Sequence, residues 1–147
     1  MRLADERKEL LEKLTGFCKG EMAAVESYDL ALRSDSLSGI AARLRWCETS
    51  HRERVKLLAQ HIRSQGGSPP RSSGAWGAFA RTIESAAAIL GRKAALSALE
   101  EGEDLGLAEY RCQAQALDGQ SVQFVERYLL PAQVETHRIL RELKRTF

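Results

Sequence analysis

Gly66-Gly67-Ser68-Pro69-Pro70 is the strongest break in this sequence, and it decides how the helices on either side can be connected. Two glycines and two prolines within five residues stop a helix, because glycine is flexible and proline lacks the backbone N–H that a helix needs. Nearly every other segment has helical periodicity. The predicted elements are helix A at about 5–33, helix B at about 37–63, a connection with a short helix at about 64–92, helix C at about 93–117 and helix D at about 121–145.

The lengths of the connections predict the topology. Short links join A to B and C to D, so each pair should form an antiparallel hairpin. The connection between B and C is long enough to cross from one end of the helices to the other. A single long crossover is the ferritin-like connectivity, whereas a simple up-down bundle has three short loops. The sequence therefore predicts an all-α, ferritin-like antiparallel four-helix bundle with a long B–C crossover, in one domain over residues 1–147.

Composition excludes several classes of protein. The chain has 147 residues, 44% of them hydrophobic and 29% charged, and a net charge of only +2, which argues against a nucleic-acid surface. No apolar run is long enough for a membrane span. The stretch Met1 to Leu11 lacks an apolar signal core, and three cysteines lie far apart at Cys18, Cys47 and Cys112. We therefore expect a cytoplasmic monomer or homodimer with small buried thiols.

An internal repeat relates the two predicted hairpins. In helix A, Glu21 is followed seven residues later by Tyr28, and in helix C, Glu103 is followed by Tyr110 at the same spacing. Helical sequences resemble one another easily, but here the matched positions are polar. The repeat therefore favours two related hairpins joined by a linker.

The four long helices each place polar groups on the stripe of residues that should face the core. Positions spaced three and four residues apart lie on one helix face. Glu21 and Glu103 are single acids on the stripes of A and C, Glu48 and His51 lie together in B, and His137 lies in D. Burying an isolated carboxylate costs several kcal/mol, so these side chains need compensation.

A pair of metal ions is one form of compensation. Di-iron and di-manganese bundles use one Glu from each of two helices and Glu-x-x-His from the other two. The motif Glu48-x-x-His51 is complete, but Val134 stands three residues before His137, where a second Glu would be needed. Gln133 is a substitute on nearly the same face, while Glu135 points away. The predicted ligands of iron, manganese or zinc are Glu21, Glu48, His51, Glu103 and His137.

A metal-free network is the alternative. Glu48 with His51, Glu103 with His137, and the two tyrosine hydroxyls would then satisfy one another by hydrogen bonds. In that case the protein is a non-enzymatic helical scaffold or a stress-response module. The charged run at 52–56 is interpreted as a solvated face. Whether the chain is an enzyme stays open between the two interpretations.

Three features together resemble a family of bacterial ferritin-like domains of unknown function. They are Gly20-Glu21 with Tyr28, the glycine-proline linker followed by a short helix at Ala75 to Ile89, and Gly102-Glu103-Asp104 with Tyr110. The resemblance covers about Leu10 to Leu143. It implies the ferritin-like fold and a two-metal site, with iron or manganese binding or a role in oxidative stress, but it implies no established reaction. The missing acid before His137 departs from the di-iron pattern.

Overall fold

The computed structural model describes the backbone of residues 1–147 and all side chains except those of Trp76, Phe79, Glu84 and Ala87. All regular secondary structure of this chain is helical, which confirms the all-α prediction. The α-helices are α1 (Arg2–Leu32), α2 (Ala41–Ser64), α3 (Gly77–Leu90), α4 (Arg92–Gln113), α5 (Gly119–Phe124) and α6 (Leu130–Thr146). Short 3-10 turns cover Asp35–Ile40, Gly74–Trp76 and Ala114–Ala116, and a π-helical turn covers Val125–Leu129.

The predicted helices A, B and C correspond to α1, α2 and α4. The predicted helix D comprises α5, the π-helical turn and α6 in succession. The chain expected at the start of helix B forms the 3-10 turn Asp35–Ile40 instead. The short helix expected in the connection is α3, and Gly91 separates it from α4 with a φ of 84°, a conformation that favours glycine.

The local defect expected at Pro131 is present. Pro131 lies in the first turn of α6, directly after the π-helical turn Val125–Leu129. Proline has no N–H to donate to the preceding turn, and a π turn accommodates one extra residue per turn. The defect therefore changes which residues of α6 face the core.

The connection between α2 and α4 runs the length of the helices. Where α2 ends, Arg7 of α1 donates a hydrogen bond to the carbonyl of Gln65. Where α4 begins, Arg92 donates a 2.9 Å hydrogen bond to the carbonyl of Ser36, beside the start of α2. Since these points lie at opposite ends of α2, the chain between them crosses from one end to the other. Within this connection α3 packs on α1 and α4.

Buried apolar side chains form two clusters, one towards each end of the long helices. One cluster includes Leu44 of α2, Leu96 of α4 and Leu140 of α6. The other includes Leu14 of α1 and Leu58 of α2. Each fully buried leucine stabilises the fold by about 1.5–3 kcal/mol. The polar side chains of the core lie between these two clusters.

The cysteines are free, and two of the three are buried as expected. Burial raises the pKa of Cys18 to about 11 and that of Cys47 to about 12, so both stay protonated. The expectation is wrong for Cys112, which is exposed, because it lies about 200° around α4 from the buried Tyr110. Within the described residues, no helix combines the length and the apolar character needed to cross a membrane.

Candidate functional site

Four helices bring eight polar side chains together in the middle of the core. Each of these residues is at most 4% exposed, so the cluster is sealed from bulk water by its neighbours. Buried polar groups are stable only when they find partners. The members are Glu21 and Tyr28 on α1, His51 and Arg54 on α2, Glu103 and Tyr110 on α4, and Gln133 and Thr136 on α6.

The cluster has an internal two-fold repeat. Glu103 and Tyr110 stand 82 residues after Glu21 and Tyr28, and the same separation of 82 residues joins Arg54 to Thr136 and His51 to Gln133. The two hairpins therefore supply equivalent positions to one centre. In the second hairpin, however, uncharged Gln133 and Thr136 replace the basic pair of the first, so the charge distribution is asymmetric.

His51 lies between the two buried carboxylates. Its Nδ1 is 2.6 Å from Oε2 of Glu21, and its Nε2 is 2.7 Å from Oε1 of Glu103. A neutral imidazole has only one N–H, so contacts from both nitrogens to carboxylates require the protonated ring. Burial alone would lower the pKa of His51, but the adjacent Glu103 and Glu21 outweigh it and raise that pKa.

Arg54 supplies the second buried cation. Its Nη1 donates to Oε1 of Glu21 at 3.2 Å and also to the side-chain oxygen of Gln133. Its Nη2 donates to the hydroxyl of Thr136 at 3.1 Å. One planar guanidinium thus ties α2 to α1 and α6. No other fully buried side chain among the described residues is larger.

The two tyrosines cross between the hairpins. Tyr28 of α1 donates a 2.6 Å hydrogen bond to Oε1 of Glu103 on α4, and Tyr110 of α4 donates a 2.5 Å hydrogen bond to Oε1 of Glu21 on α1. Each tyrosine therefore binds the carboxylate of the other repeat. Burial, with the adjacent carboxylate, raises the pKa of both hydroxyls well above the ordinary value, so both remain donors.

The remaining oxygen of Glu103 is held by α6. Gln133 Nε2 donates to Oε2 of Glu103 at 2.8 Å and to its backbone carbonyl at 2.9 Å, and the Thr136 hydroxyl donates to the same Oε2 at 2.7 Å. Burial would raise the pKa of both acids. The charges of Arg54 and His51 instead hold the pKa of Glu21 at about 2, and chiefly His51 lowers the pKa of Glu103.

Three of the five predicted ligands meet in this cluster, namely Glu21, His51 and Glu103. The other two do not. Glu48 accepts a 3.4 Å hydrogen bond from the exposed Arg52, and His137 pairs with Asp104 on α4. The polar pairs expected for the metal-free alternative, Glu48 with His51 and Glu103 with His137, are therefore wrong, although both tyrosine hydroxyls do bind the acids.

The cause is a one-residue error in the predicted stripe of α2. The motif Glu48-x-x-His51 predicted that Glu48 faces the core, and the charged run at 52–56 predicted that Arg54 faces solvent. The buried positions are Cys47, His51, Arg54 and Leu58, which alternate spacings of four and three. Arg54, assigned to a solvated face, is buried. The uniform separation of 82 residues was the signal that could have found it.

On α6, too, the residues that face the core differ from those predicted. Gln133 lies in the cluster, as the substitute considered for the missing acid, while Thr136 takes the place expected for His137. Glu135 is exposed and pairs with Arg138 at 2.7 Å.

The family described as a domain of unknown function (DUF2383) matches residues 9–115. This range holds most of α1, the whole of α2, α3 and α4, both Glu-and-Tyr repeats, and the basic pair of α2. It covers well over half of the sequence. The chain belongs to this family. No curated protein and no solved structure matches the chain.

This DUF2383 chain also has a second cluster of polar side chains, which lies nearer the surface between α4 and α6. Ligand atoms of Glu100, Asp104 and His137 all lie within 4.8 Å of one another. Lys144 lies 3.2 Å from Oε2 of Glu100. Among the described residues it is the one set of three or more His, Cys, Asp or Glu side chains with such spacing. The core residues Glu21, His51 and Glu103 therefore do not converge to this degree.

Proposed function

We propose that this DUF2383 chain is a non-enzymatic helical scaffold of ferritin-like architecture, whose two hairpins are joined by a metal-free ion network. The observation that carries the proposal is the burial of Arg54 in the core. Its guanidinium is buried beside Glu21, where a metal-binding interior would need open carboxylate oxygens. The guanidinium of Arg54 therefore compensates the buried negative charge of Glu21, as a metal ion would in a metal-binding bundle.

The charges of the network balance without an added ion. Two carboxylates, Glu21 and Glu103, face two cations, Arg54 and the protonated His51. Each carboxylate oxygen accepts at least one hydrogen bond from a described side chain. A network in which every member is satisfied makes a core specific as well as stable. This supports the metal-free interpretation of the sequence over the two-metal interpretation.

The residues present do not fit a metal pair. Both nitrogens of His51 carry a proton that points at a carboxylate, so neither offers a lone pair to a metal. The two carboxylates contact opposite nitrogens of the imidazole ring, which keeps them from bridging a common pair of ions. The positive guanidinium of Arg54 would in addition repel a divalent ion bound to Glu21.

The connectivity supports the ferritin-like part of the proposal. Two antiparallel hairpins and one connection that crosses the length of the helices are the features of that fold. On this basis we interpret the chain as a ferritin relative that keeps the four-helix frame and fills the former metal position with Arg54.

Elemental analysis of protein purified without chelator tests the proposal. We expect less than a stoichiometric amount of iron, manganese or zinc in a His137→Ala variant, which removes the surface histidine from the measurement. Adding Fe(II), Mn(II) or Zn(II) to this variant should leave its melting temperature unchanged. Stoichiometric metal that disappears when His51→Ala is added would overturn the metal-free network and restore the two-metal hypothesis.

A further inference from the structure

The second polar cluster, formed by Glu100, Asp104 and His137, shares no residue with the ion network of the core. Glu100 and Asp104 stand four residues apart on α4, so their side chains lie on one face of that helix. On α6, Thr136 points into the core, and His137, turned by about 100° from it, reaches Asp104. The three side chains therefore meet where α4 and α6 pack together, with ligand atoms within 4.8 Å of one another.

The three side chains are of the types that bind a transition-metal ion. Zn²⁺ accepts imidazole nitrogen and carboxylate oxygen, and its open sites use three protein ligands and one water. In a tetrahedral site with bonds of about 2.1 Å, neighbouring ligand atoms lie roughly 3.4 Å apart. The Asp104 side chain is 60% exposed, so it can rotate to close on an ion. The same exposure gives water access to the fourth position.

One carboxylate oxygen of the cluster lacks a hydrogen bond. Oε2 of Glu100 is buried, and no group among the described residues donates a hydrogen bond to it. The ammonium of Lys144 lies 3.2 Å away, but without the alignment that a hydrogen bond needs. Buried acceptors without a donor are rare in folded proteins. A bound cation would satisfy this oxygen, so the unpaired atom points to a ligand.

The charges of the cluster are not balanced when the imidazole is neutral, as metal binding requires. Within the part of the chain that the structure describes, Glu100 pairs with Lys144 alone and Asp104 pairs with His137 alone. Two negative charges therefore face one positive charge. In the core, by contrast, Arg54 is 1% exposed and is fixed by hydrogen bonds to α1 and α6. The Lys144 side chain is 43% exposed, so it can move into solvent when a metal ion arrives.

We propose that Glu100, Asp104 and His137 bind one divalent transition-metal ion of the zinc type, which joins α4 to α6. The ion takes the position of the proton that links Nε2 of His137 to Asp104, and this proton leaves to solvent. The unpaired oxygen of Glu100 becomes a ligand. Because the site lies outside the ion network, the proposal goes beyond the scaffold function and does not depend on it.

Calorimetric titration of the full chain with Zn²⁺ tests the site. We expect one ion to bind per chain and the melting temperature to rise, since a ligand of the folded state stabilises it. An equal concentration of Mg²⁺ should leave the melting temperature unchanged, because Mg²⁺ prefers oxygen ligands and water to imidazole. Absence of Zn²⁺ binding, or equal stabilisation by Mg²⁺, would overturn the proposal.

Two histidine variants locate the site. His137→Ala removes the nitrogen ligand and should weaken Zn²⁺ binding by at least about tenfold, since loss of groups that merely orient a ligand already costs that much. His61→Ala is the matched control and should leave the affinity unchanged, because His61 contacts the hydroxyl of Ser121 rather than a carboxylate. Binding that survives in His137→Ala contradicts the surface site. Binding that is lost only in His51→Ala contradicts the metal-free core, so the two failures are distinguishable.

A lysine variant tests the charge argument. Lys144→Met removes the ammonium beside Glu100 and keeps a long side chain, and it should tighten Zn²⁺ binding by roughly three- to tenfold. Lys8→Met, on α1 next to the Arg7 that contacts the end of α2, is the control and should leave the affinity unchanged. Weaker binding in Lys144→Met would contradict the proposed position of the ion.

Discussion

Arg54 and Glu21 form an ion pair of 3.2 Å with only 1% and 5% of their side chains exposed. An ion pair at such depth loses the hydration of both charges, and it is retained only where further hydrogen bonds support it. Gln133 and Thr136 supply that support for the arginine, and His51 and Tyr110 supply it for the glutamate. The pair and its supporting groups therefore couple four helices, and removal of the pair should affect the whole fold.

Replacing Arg54 by leucine should destabilise the protein by about 3–5 kcal/mol, because removal of one partner leaves a buried charge without compensation. The free energy of unfolding in urea measures the effect. Arg52→Leu is the matched control on the same helix: the Arg52 side chain is 55% exposed and lies 3.4 Å from Glu48, and the loss should stay below about 1 kcal/mol. Equal effects of the two variants would contradict the role assigned to Arg54.

Stability should be greatest between about pH 4.5 and 6.5. The pKa of Glu21 falls from an ordinary 4.5 to about 2 in the folded state, so its contribution is present above pH 4.5 and is lost as the pH falls towards 2. The pKa of His51 is raised above its ordinary 6.5, so its contribution is complete below pH 6.5 and is lost as the pH rises through the raised value.

The His51→Gln variant tests the alkaline side of this profile. Without an imidazole in the core, the decline in unfolding free energy above pH 6.5 should disappear. His61→Gln is the control, since burial lowers the pKa of His61 and its contribution therefore has the opposite sign. A decline that persists in His51→Gln would mean that another group titrates.

Removing either tyrosine hydroxyl should have a similar effect. Tyr28→Phe and Tyr110→Phe each delete one hydrogen bond to a buried carboxylate from an equivalent position of the repeat, and each should lower the free energy of unfolding by about 2 kcal/mol. Tyr128→Phe, on an exposed tyrosine, should change it by less than about 0.5 kcal/mol. A large difference between the first two variants would contradict the functional equivalence of the two hairpins.

Two glycines in facing helices should respond to alanine with opposite signs. At Gly106 the added Cβ would lie 2.8 Å from Nε2 of Gln133, whose amide is already held by Glu103, so Gly106→Ala should destabilise by about 1–2 kcal/mol. At Gly16 the Cβ meets nothing within 4 Å, so Gly16→Ala should stabilise by about 0.5–1 kcal/mol through helix propensity. Thermal unfolding of both variants measures the contrast, and the same sign for both would refute it.

Much of the fold could be predicted from local signals. The glycine-proline break at 66–70 acts within a few residues, and α2 ends just before it, as expected. The polar positions on α1 and α4 could also be predicted, because Glu21 and Glu103 interrupt otherwise apolar stripes. The ferritin-like assignment and the location of the protein in the cell stay predictions.

The second helix of each hairpin was harder to predict. On α2, Val55 and Arg54 are neighbours, and periodicity alone cannot choose between stripes that differ by one residue. On α6, the π-helical turn before Pro131 changes which residues face the core. Such a change in backbone hydrogen bonding cannot be predicted from the types of residue present. For these reasons Glu48 and His137 lie outside the core cluster in which they were expected, while their assignment as metal ligands stays a prediction.

By itself the sequence determined that this chain is helical, where its long helices break, and that acids lie on two of the buried stripes. These properties depend on neighbours within a turn or two, which the order of residues specifies directly. Only the tertiary structure decided which cation meets those acids. Arg54 becomes a core residue because Glu21, Gln133 and Thr136, from two other helices, together replace the water it loses, and that compensation exists only once the helices pack.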